Sequence, residues 1–253
     1  MIPVILRARG YRLYTQDGRR LIDLWLNGGA AILGHTPPNV LREIKNTASR
    51  GLYAPFPHFT EGRYLKALAK LFPGYVFRLY MDSQKSSRGG AETRRSQREE
   101  KDLRIQLWRP YTNPDKPFEI KEGLDLFIPV LPFSPCVLAA KTESLLAQFP
   151  PGDTLSPVLL AAAARGLYDL LAAPQRAKPV MPKVFKALQN SPWKREGIYL
   201  SLKEKPTNAE WETLFKKFLD AGFLLPPDPS QPVILPGEMS DGESAKLAAA
   251  LSC

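Results

Sequence analysis

Residues Ala8 to Val40 read ARGYRLYTQDGRRLIDLWLNGGAAILGHTPPNV, and this stretch decides the fold. Apolar side chains alternate on both sides of Asp17-Gly18, which is the pattern of two antiparallel strands joined by a tight turn. Glycine supplies the positive φ that such a turn needs. Asn27-Gly28-Gly29 then breaks the strand, and the prolines after Gly34 predict that a helix starts near Val40. The stretch therefore predicts a hairpin, a break and a helix.

The composition is that of a folded protein with many fixed loops. Of the 253 residues 44% are hydrophobic, which is enough for the core of one large domain or two small ones. The 25 prolines are about twice the usual share. Lysine and arginine outnumber the acidic residues by 35 to 25, and the net charge of +10 favours contact with anions of any kind.

Cysteine usage and hydropathy bear on location. Cys136 and Cys253 are too few and too far apart for a disulfide framework, which fits a reducing compartment. The best apolar run, Leu155 to Ala164, stops at Arg165 and is shorter than the roughly 18 residues of a membrane span. The apolar stretch at the start of the chain is too short for a signal peptide. We expect a soluble, cytoplasmic protein without membrane contact.

The hairpin and the step that follows it resemble the class III pyridoxal-phosphate-dependent aminotransferases, and most of all the glutamate-1-semialdehyde aminomutase branch. The matching residues are Gly10, Leu13, Asp17-Gly18, Arg20, Ile22-Asp23, Ile32-Leu33-Gly34-His35, Pro38 and Val40. The strand and turn from Gly222 to Pro227, followed by the Ser240-Asp241-Gly242-Glu243 helix start, resemble the family's C-terminal domain. The resemblance covers about residues 8–83 and 124–250.

The resemblance implies an α/β protein with a reduced fold type I transferase architecture and a small α+β domain formed by both chain ends. We expect residues 1–50 to form the N-terminal part of that small domain and residues 173–253 to form its C-terminal part. Residues 51–172 would be the remnant of the large domain, interrupted by a basic insertion at 84–122. Family members are dimers, so the resemblance also implies a homodimer.

Two hydroxyl residues match the family's contacts to the cofactor phosphate. Ser83 stands where the family has a Ser-Gly-Thr turn, although the rest of that turn is replaced, and Gly89-Gly90-Ala91 either rebuilds it or forms a flexible loop. Thr154 stands where a family threonine reaches the phosphate of the neighbouring subunit's cofactor. A helix cap or turn hydroxyl is the structural alternative for Thr154. Both residues are candidates only if pyridoxal phosphate binds.

The lysine that carries the cofactor in the family has no counterpart in the corresponding stretch, Asp125 to Glu143. The alignment places Ile128 or Pro129 at its position, and the glycines that follow it in the family become Leu131, Pro132 and Phe133. Neither hydrocarbon side chain can form a Schiff base, which requires an amine. Lys121 and Lys141 are the possible substitutes.

Other catalytic groups are missing from the sequence as well. The segment between Ser83 and Asp125 is too short for the strand-helix units that carry, in the family, the carboxylate at the cofactor's ring nitrogen. Glu119 lies too close to the matched lysine position to be the equivalent of that carboxylate. His35 and His58 lack the spacing of a metal site or a triad, and we expect His35 to shape its loop. No metal site is expected.

The segment from Lys85 to Arg109 holds eight basic and four acidic residues, with Trp108 inside it and Tyr111 just after. Clustered arginines beside aromatic residues are typical of nucleic-acid binding. The interleaved acids favour a solvated insertion instead.

We therefore expect a catalytically inactive relative of this family that binds a protein partner or acts as a homodimer, with no cofactor. One alternative is an active pyridoxal-phosphate aminotransferase with a relocated lysine. The other is nucleic-acid binding through residues 85–109.

Overall fold

The structure is a computed structural model that describes residues 2–82, 105–113, 115, 118–172 and 179–252. The chain divides into two compact units. The first unit comprises Met1–Pro37, Tyr111–Pro117 and Ala173–Cys253, and the second comprises Pro38–Pro110 and Phe118–Ala172. The first unit therefore takes its chain from both ends of the sequence and from one short central segment.

The secondary structure elements of the described residues follow in chain order. The strands are β1 (Ile5–Arg9), β2 (Arg12–Thr15), β3 (Arg20–Asp23), β4 (Val76–Tyr80), β5 (Gln106–Trp108), β6 (Leu126–Pro129), β7 (Cys136–Ala140), β8 (Trp193–Glu196), β9 (Tyr199–Leu202), β10 (Phe223–Leu224) and β11 (Val233–Ile234). The helices are α1 (Pro38–Ala48), α2 (Phe59–Leu71), α3 (Glu143–Leu146), α4 (Pro157–Ala172), α5 (Pro182–Leu188), α6 (Asn208–Asp220) and α7 (Asp241–Leu251).

The predicted hairpin is confirmed in the first unit. Strands β2 and β3 pair antiparallel, and Gly18 takes a φ of +81° in the turn between them. Strand β1, which the alternation pattern did not predict, adds to the outer side of β2. On the other side β10 pairs parallel with β3, so the C-terminal part of the chain completes the sheet that the N-terminal part begins.

The remainder of the first unit is a small sheet with helices. Its strand order is β11-β9-β8, with antiparallel pairing throughout. Helix α6 starts with a capping box between Thr207 and Glu210. Helix α7 starts at the predicted position with a second capping box, between Ser240 and Glu243. These reciprocal hydrogen bonds satisfy amides that the first turn leaves unpaired. Helices α5 and α7 pack against each other.

The second unit is built on a sheet with the strand order β4-β7-β6-β5. Strand β6 is an inner strand, since it pairs antiparallel with β7 and parallel with β5. Pro129 interrupts the apolar run from Leu124 to Leu131, which predicts an edge strand or an end to the pairing. The pairing ends only on the β7 side, since Pro129 still pairs with Trp108 of β5. The pairs of β6 with β7 stop at Phe127, two residues before Pro129.

Both faces of this sheet are covered. On one face, the side chains of Leu126, Leu138 and Tyr80 pack with Leu146 and Phe149, which lie in and just after α3. On the other face lie aromatic side chains: the ring of Phe72 is 4.9 Å from that of Trp108 and 5.1 Å from that of Phe127, both edge-on. Helix α4 packs against α1 and α2.

No helix in the described ranges is long and apolar enough to cross a membrane.

Candidate functional site

The position matched to the family's lysine lies at the end of β6. Ile128 is half-buried and packs against the apolar cluster of Leu126, Leu138 and Leu146. Pro129 is buried on the opposite face and pairs with Trp108 of β5. Ile128 is therefore held in apolar packing, Pro129 is buried, and neither carries an amine.

The loop after β6 packs closely against helix α4. Phe133 has a φ of +56°, in the left-handed region that favours glycine, and it stands at one of the positions where the resembled family has glycines. A Cβ placed on Gly166 of α4 would lie 3.1 Å from the carbonyl oxygen of Pro132 and 3.2 Å from the ring of Phe133. The helix can approach this closely only because residue 166 has no side chain, so the loop and the helix leave no room between them here.

The lysines of the described ranges lie away from any core. All of them are exposed except Lys217, which is half-buried. Lys141 places its Nζ 4.5 Å from the centre of the Tyr75 ring, in a cation–π contact, and Lys121 is exposed. A Schiff-base lysine needs a desolvated setting that lowers its pKa, and neither proposed substitute has one.

Thr154 lies in a cleft of ≈ 310 Å³ beside β4, the outer strand of the sheet as far as the described residues show, and we call it the edge cleft. It is lined by Glu61, Leu65, Phe77, Arg78, Leu79, Gly152, Asp153 and Thr154. The backbone N–H of Asp153 donates to the carbonyl of Leu79 (2.9 Å), and the N–H of Met81 donates to Oδ2 of Asp153 (2.9 Å). These bonds bring Thr154 beside the chain that leads to Ser83, which itself lies outside the described residues. Helix α4 starts three residues after Thr154, at Pro157.

The edge cleft does not suit a phosphate group. Two of its lining side chains, Glu61 and Asp153, carry carboxylates that repel an anion. Its cation, Arg78, donates through Nη1 to the carbonyls of Leu146 (2.6 Å) and Phe149 (2.7 Å), so this guanidinium ties α3 to β4. Together with the apolar end of β6, the described residues do not fit bound pyridoxal phosphate.

The described part of the second unit also lacks a carboxylate suited to the ring nitrogen of that cofactor. Its buried acid is Asp169, which accepts hydrogen bonds from Asn39 (3.2 Å) and from Nε of Arg165 (3.0 Å) and thereby joins α4 to α1. Glu119 is exposed, and its backbone carbonyl accepts from the indole of Trp108 (3.2 Å).

The two histidines have structural contacts. Oδ2 of buried Asp23 lies 2.9 Å from Nε2 of His35, and because a carboxylate only accepts, this nitrogen carries the hydrogen. Oδ1 of Asp23 accepts from the backbone N–H groups of Trp25 (2.8 Å) and Leu26 (2.9 Å). His58 caps α2 by accepting from the N–H of Thr60. The described ranges contain no group of three potential metal ligands.

Comparison with known proteins adds to this geometry. No model of a protein family matches the sequence. An uncharacterized protein of Treponema pallidum (strain Nichols) is 30% identical over 281 residues, which covers 92% of this chain and 88% of the relative. The chain belongs to the family of this protein. A second member, an uncharacterized protein of Borreliella burgdorferi, is 27% identical over 256 residues, covering 96% of this chain and 87% of that protein.

More distant matches connect this family to a known enzyme class. A glutamate-1-semialdehyde 2,1-aminomutase of Thermus thermophilus is 29% identical over 119 residues, which covers 47% of this chain but only 24% of the enzyme. An omega-transaminase from Sphaerobacter thermophilus superposes with a TM-score of 0.67 over 99% of this chain and 90% of that chain, at 11% identity. An adenosylmethionine-8-amino-7-oxononanoate aminotransferase from Methanocaldococcus jannaschii gives 0.67 at 12% identity, over 100% and 92%. The family is thus a shortened relative of the class III aminotransferases, with the fold type I architecture.

This aminotransferase relative has a second cleft, in its first unit, that the sequence did not reveal. We call it the tryptophan cleft, and its volume is ≈ 260 Å³. Its lining residues are Trp193, Leu200, Ser201, Leu202, Lys203, Glu204, Lys205, Pro206, Trp211, Pro229, Gln231 and Val233. The one signal in the sequence is the pair of tryptophans on either side of the Lys-Glu-Lys-Pro run at 203–206, and it has no motif to make it recognisable.

Proposed function

We propose that this chain is a catalytically inactive relative of the class III aminotransferases that needs no cofactor and acts through binding, as a homodimer with a protein partner. The relationship to the aminotransferases supports the scaffold, and the chemistry of the described residues supports the proposed inactivity. We further propose a cytoplasmic location, which suits a chain with only Cys136 and Cys253 as thiols.

The observation that carries the proposal is the packing at the end of β6. Transamination with pyridoxal phosphate requires an amine on the cofactor carbonyl and a carboxylate at the ring nitrogen. Here the lysine position is matched by Ile128, which packs against an apolar cluster, or by Pro129, which is buried. The loop after β6, at Pro132 and Phe133, lies within contact distance of Gly166 on α4. The loop and the helix therefore leave no room for a cofactor between them, in addition to the absence of an amine at Ile128 and Pro129.

Cofactor titration tests the inactivity directly. The protein is mixed with excess pyridoxal phosphate and reduced with borohydride, and the lysines are mapped by mass spectrometry, with an active class III aminotransferase treated in parallel. We expect only the weak, scattered labelling that exposed lysines give and no saturable visible absorbance. Stoichiometric labelling of one lysine with a saturable band would contradict the proposal, and Lys141→Gln and Lys121→Gln would show whether a substitute is responsible.

Exposed aromatic side chains support the proposal of a homodimer. Between α1 and α2, Tyr53 is 81% exposed and Phe56 is 53% exposed, and Phe59 at the start of α2 is 68% exposed. Aromatic residues left in solvent at this density are typical of protein interfaces. Light scattering checks this: we expect a dimer that Phe56→Ser with Phe59→Ser weakens, whereas a monomeric wild-type protein would refute the homodimer.

A further inference from the structure

The tryptophan cleft combines an apolar floor with a polar rim. Trp193, Leu200, Trp211 and Val233 form the floor, and each of them is at most 5% exposed. The cleft lies wholly within the first unit, between the end of β9, the start of α6 and the residues before β11. A volume of ≈ 260 Å³ holds a compact molecule of about ten non-hydrogen atoms and excludes a folded partner.

One hydrogen-bond donor on the floor has no partner among the residues that the structure describes. The indole N–H of Trp211 donates to the carbonyl of Pro226 (3.1 Å), as expected for a buried tryptophan. The indole N–H of Trp193 makes no such bond with any described residue, although this residue is only 3% exposed. Its nitrogen is not sealed from solvent either. Since Trp193 lines the cleft, we infer that this N–H is directed into it.

A second donor is held in a fixed orientation beside the cleft. The Oε1 atom of Gln231 accepts from the indole N–H of Trp25 at 2.6 Å. This bond sets the orientation of the amide, because the oxygen must face Trp25 and the NH₂ group then faces away from it. The NH₂ group of Gln231 has no protein acceptor among the described residues and is available to a ligand in the cleft that Gln231 lines.

The rim adds positive charge. Lys203 is held by a hydrogen bond from its Nζ to the carbonyl of Ser191 (2.7 Å), which leaves two of its three hydrogens free to donate. Lys203 and Lys205 against Glu204 give the lining a net charge of +1. Asp228 lies outside the lining, and its pKa is lowered mainly by the backbone N–H of Ser230 and to a smaller degree by the charge of Lys205.

We propose that the tryptophan cleft binds a small organic carboxylate with a compact apolar body. The body would occupy the floor made by the two tryptophans and Val233, where it is removed from water. The carboxylate would accept from the indole N–H of Trp193, the amide of Gln231 and a lysine ammonium. Charge-assisted hydrogen bonds to a carboxylate are about twice as strong as neutral ones. We therefore expect the charge of the ligand, more than the shape of its apolar body, to determine which molecules bind. This inference does not depend on the loss of catalysis.

Indole NMR signals test the proposal on the full chain without cofactor. The chain has four tryptophans, and their ¹⁵N-labelled indole signals separate the cleft from the rest of the protein. The probe is phenylacetate, with neutral phenylacetamide as the matched control of nearly the same shape. We expect phenylacetate to shift the Trp193 signal saturably and to leave Trp108, in the second unit, unchanged, and we expect phenylacetamide to bind about tenfold more weakly.

Substitutions assign the contacts. Trp193→Phe keeps the aromatic floor but removes the donor, and it should weaken phenylacetate binding about fivefold; Lys205→Gln should weaken it about tenfold. Lys194→Gln is the control, since Lys194 is exposed on β8 and pairs with Glu196 (3.0 Å) outside the cleft, and it should leave binding unchanged. If phenylacetate gives no saturable shift of the Trp193 signal, the proposed binding site is wrong. If phenylacetamide binds as tightly as phenylacetate, the proposed preference for a carboxylate is wrong.

Discussion

Two regions that both match the aminotransferase pattern differ sharply in what they have kept. Around Asp23, in the first unit, a buried carboxylate holds two backbone N–H groups and His35, and every one of these contacts shapes the backbone. At the end of β6, in the second unit, the family's lysine position is matched by Ile128, which lies in apolar packing, or by Pro129, which is buried. The polar contacts that hold the fold remain around Asp23, whereas the position matched to the lysine holds an apolar residue.

The difference follows from what each group contributes to folding. Removing a buried acceptor such as Asp23 leaves amides without partners, so a folded chain can hardly lose it. A reactive lysine and its carboxylate lie in a pocket that costs stability to maintain, and apolar replacements such as Ile128 fill that space favourably. A chain that stops catalysing would therefore be expected to change at β6 and stay unchanged at Asp23.

The largest effect should come from Asp23→Ala. Asp23 is 2% exposed, and its loss would leave the backbone N–H groups of Trp25 and Leu26 without an acceptor. We expect the free energy of unfolding to fall by about 4 kcal/mol, at roughly 2 kcal/mol for each amide left without an acceptor. Urea denaturation followed by circular dichroism measures this, with exposed Asp220→Ala as the control. If Asp23→Ala lowered the free energy of unfolding by less than a substitution at Ile128 or Pro129 does, Asp23 would not be the more important of the two regions for stability.

The next effect tests whether the region beyond β6 is filled. Gly166→Leu introduces a side chain whose Cβ would lie only 3.1 Å from the carbonyl oxygen of Pro132, and we expect it to destabilise the protein by about 3 kcal/mol. Gly62 in α2 has nothing within 4 Å of the corresponding position, so Gly62→Ala should instead stabilise by about 0.8 kcal/mol through helix propensity. Equal stabilisation by Gly166→Ala would mean that the space is open.

Much of the fold was predictable from the sequence because local signals agree with the tertiary structure. The Asp17-Gly18 turn and the helix start at Ser240 both lie where the patterns predict them. Strand β1 was missed because burial along it does not follow hydrophobicity: Leu6 is exposed although it is hydrophobic, and so is Val4 just before the strand. Their exposure is decided by which face of the sheet is covered, and no local pattern carries that information.

The candidate site was predictable only in part. The loss of the lysine at Ile128 or Pro129 was deduced from the resemblance, and the structure adds that the position is held in apolar packing. Thr154 was expected near a phosphate, but its cleft also holds the carboxylates of Asp153, its neighbour in the sequence, and of Glu61, which lies far away in the sequence. The tryptophan cleft was missed because the orientation of Gln231 depends on Trp25, 206 residues away.

The third effect concerns a second polar contact that holds the fold of the first unit. Arg12 donates to Glu243 through Nε (3.0 Å) and Nη2 (2.8 Å), and together with the Ser240 backbone N–H this lowers the pKa of Glu243 to about 2. Because the folded pKa is below the ordinary 4.5, the stabilisation is complete above about pH 4.5 and is lost as the pH falls towards 2.

Glu243→Gln should therefore lower the free energy of unfolding by about 2 kcal/mol at pH 7 and flatten its dependence on pH between 4.5 and 2. Urea titrations at a series of pH values check both. Glu210→Gln, in the exposed capping box of α6, is the control and should change the pH dependence less. An unaltered acid profile in Glu243→Gln would show that the Arg12 contact is not what stabilises this end of the chain.

The smallest effect is expected from Ile128→Lys, which tests whether the missing lysine alone distinguishes this chain from an active aminotransferase. Ile128→Lys returns an amine to the matched position, and because Ile128 is half-buried we expect a loss of only about 1 kcal/mol as the ammonium reaches solvent. We expect no borohydride-fixed pyridoxal phosphate on the introduced lysine, since the edge cleft carries carboxylates and the buried acid Asp169 is engaged by Arg165. Pro129→Lys repeats the test on the other face of β6. Stoichiometric labelling in either variant would mean that the lysine alone was lost, and that the rest of the cofactor site survives in this family.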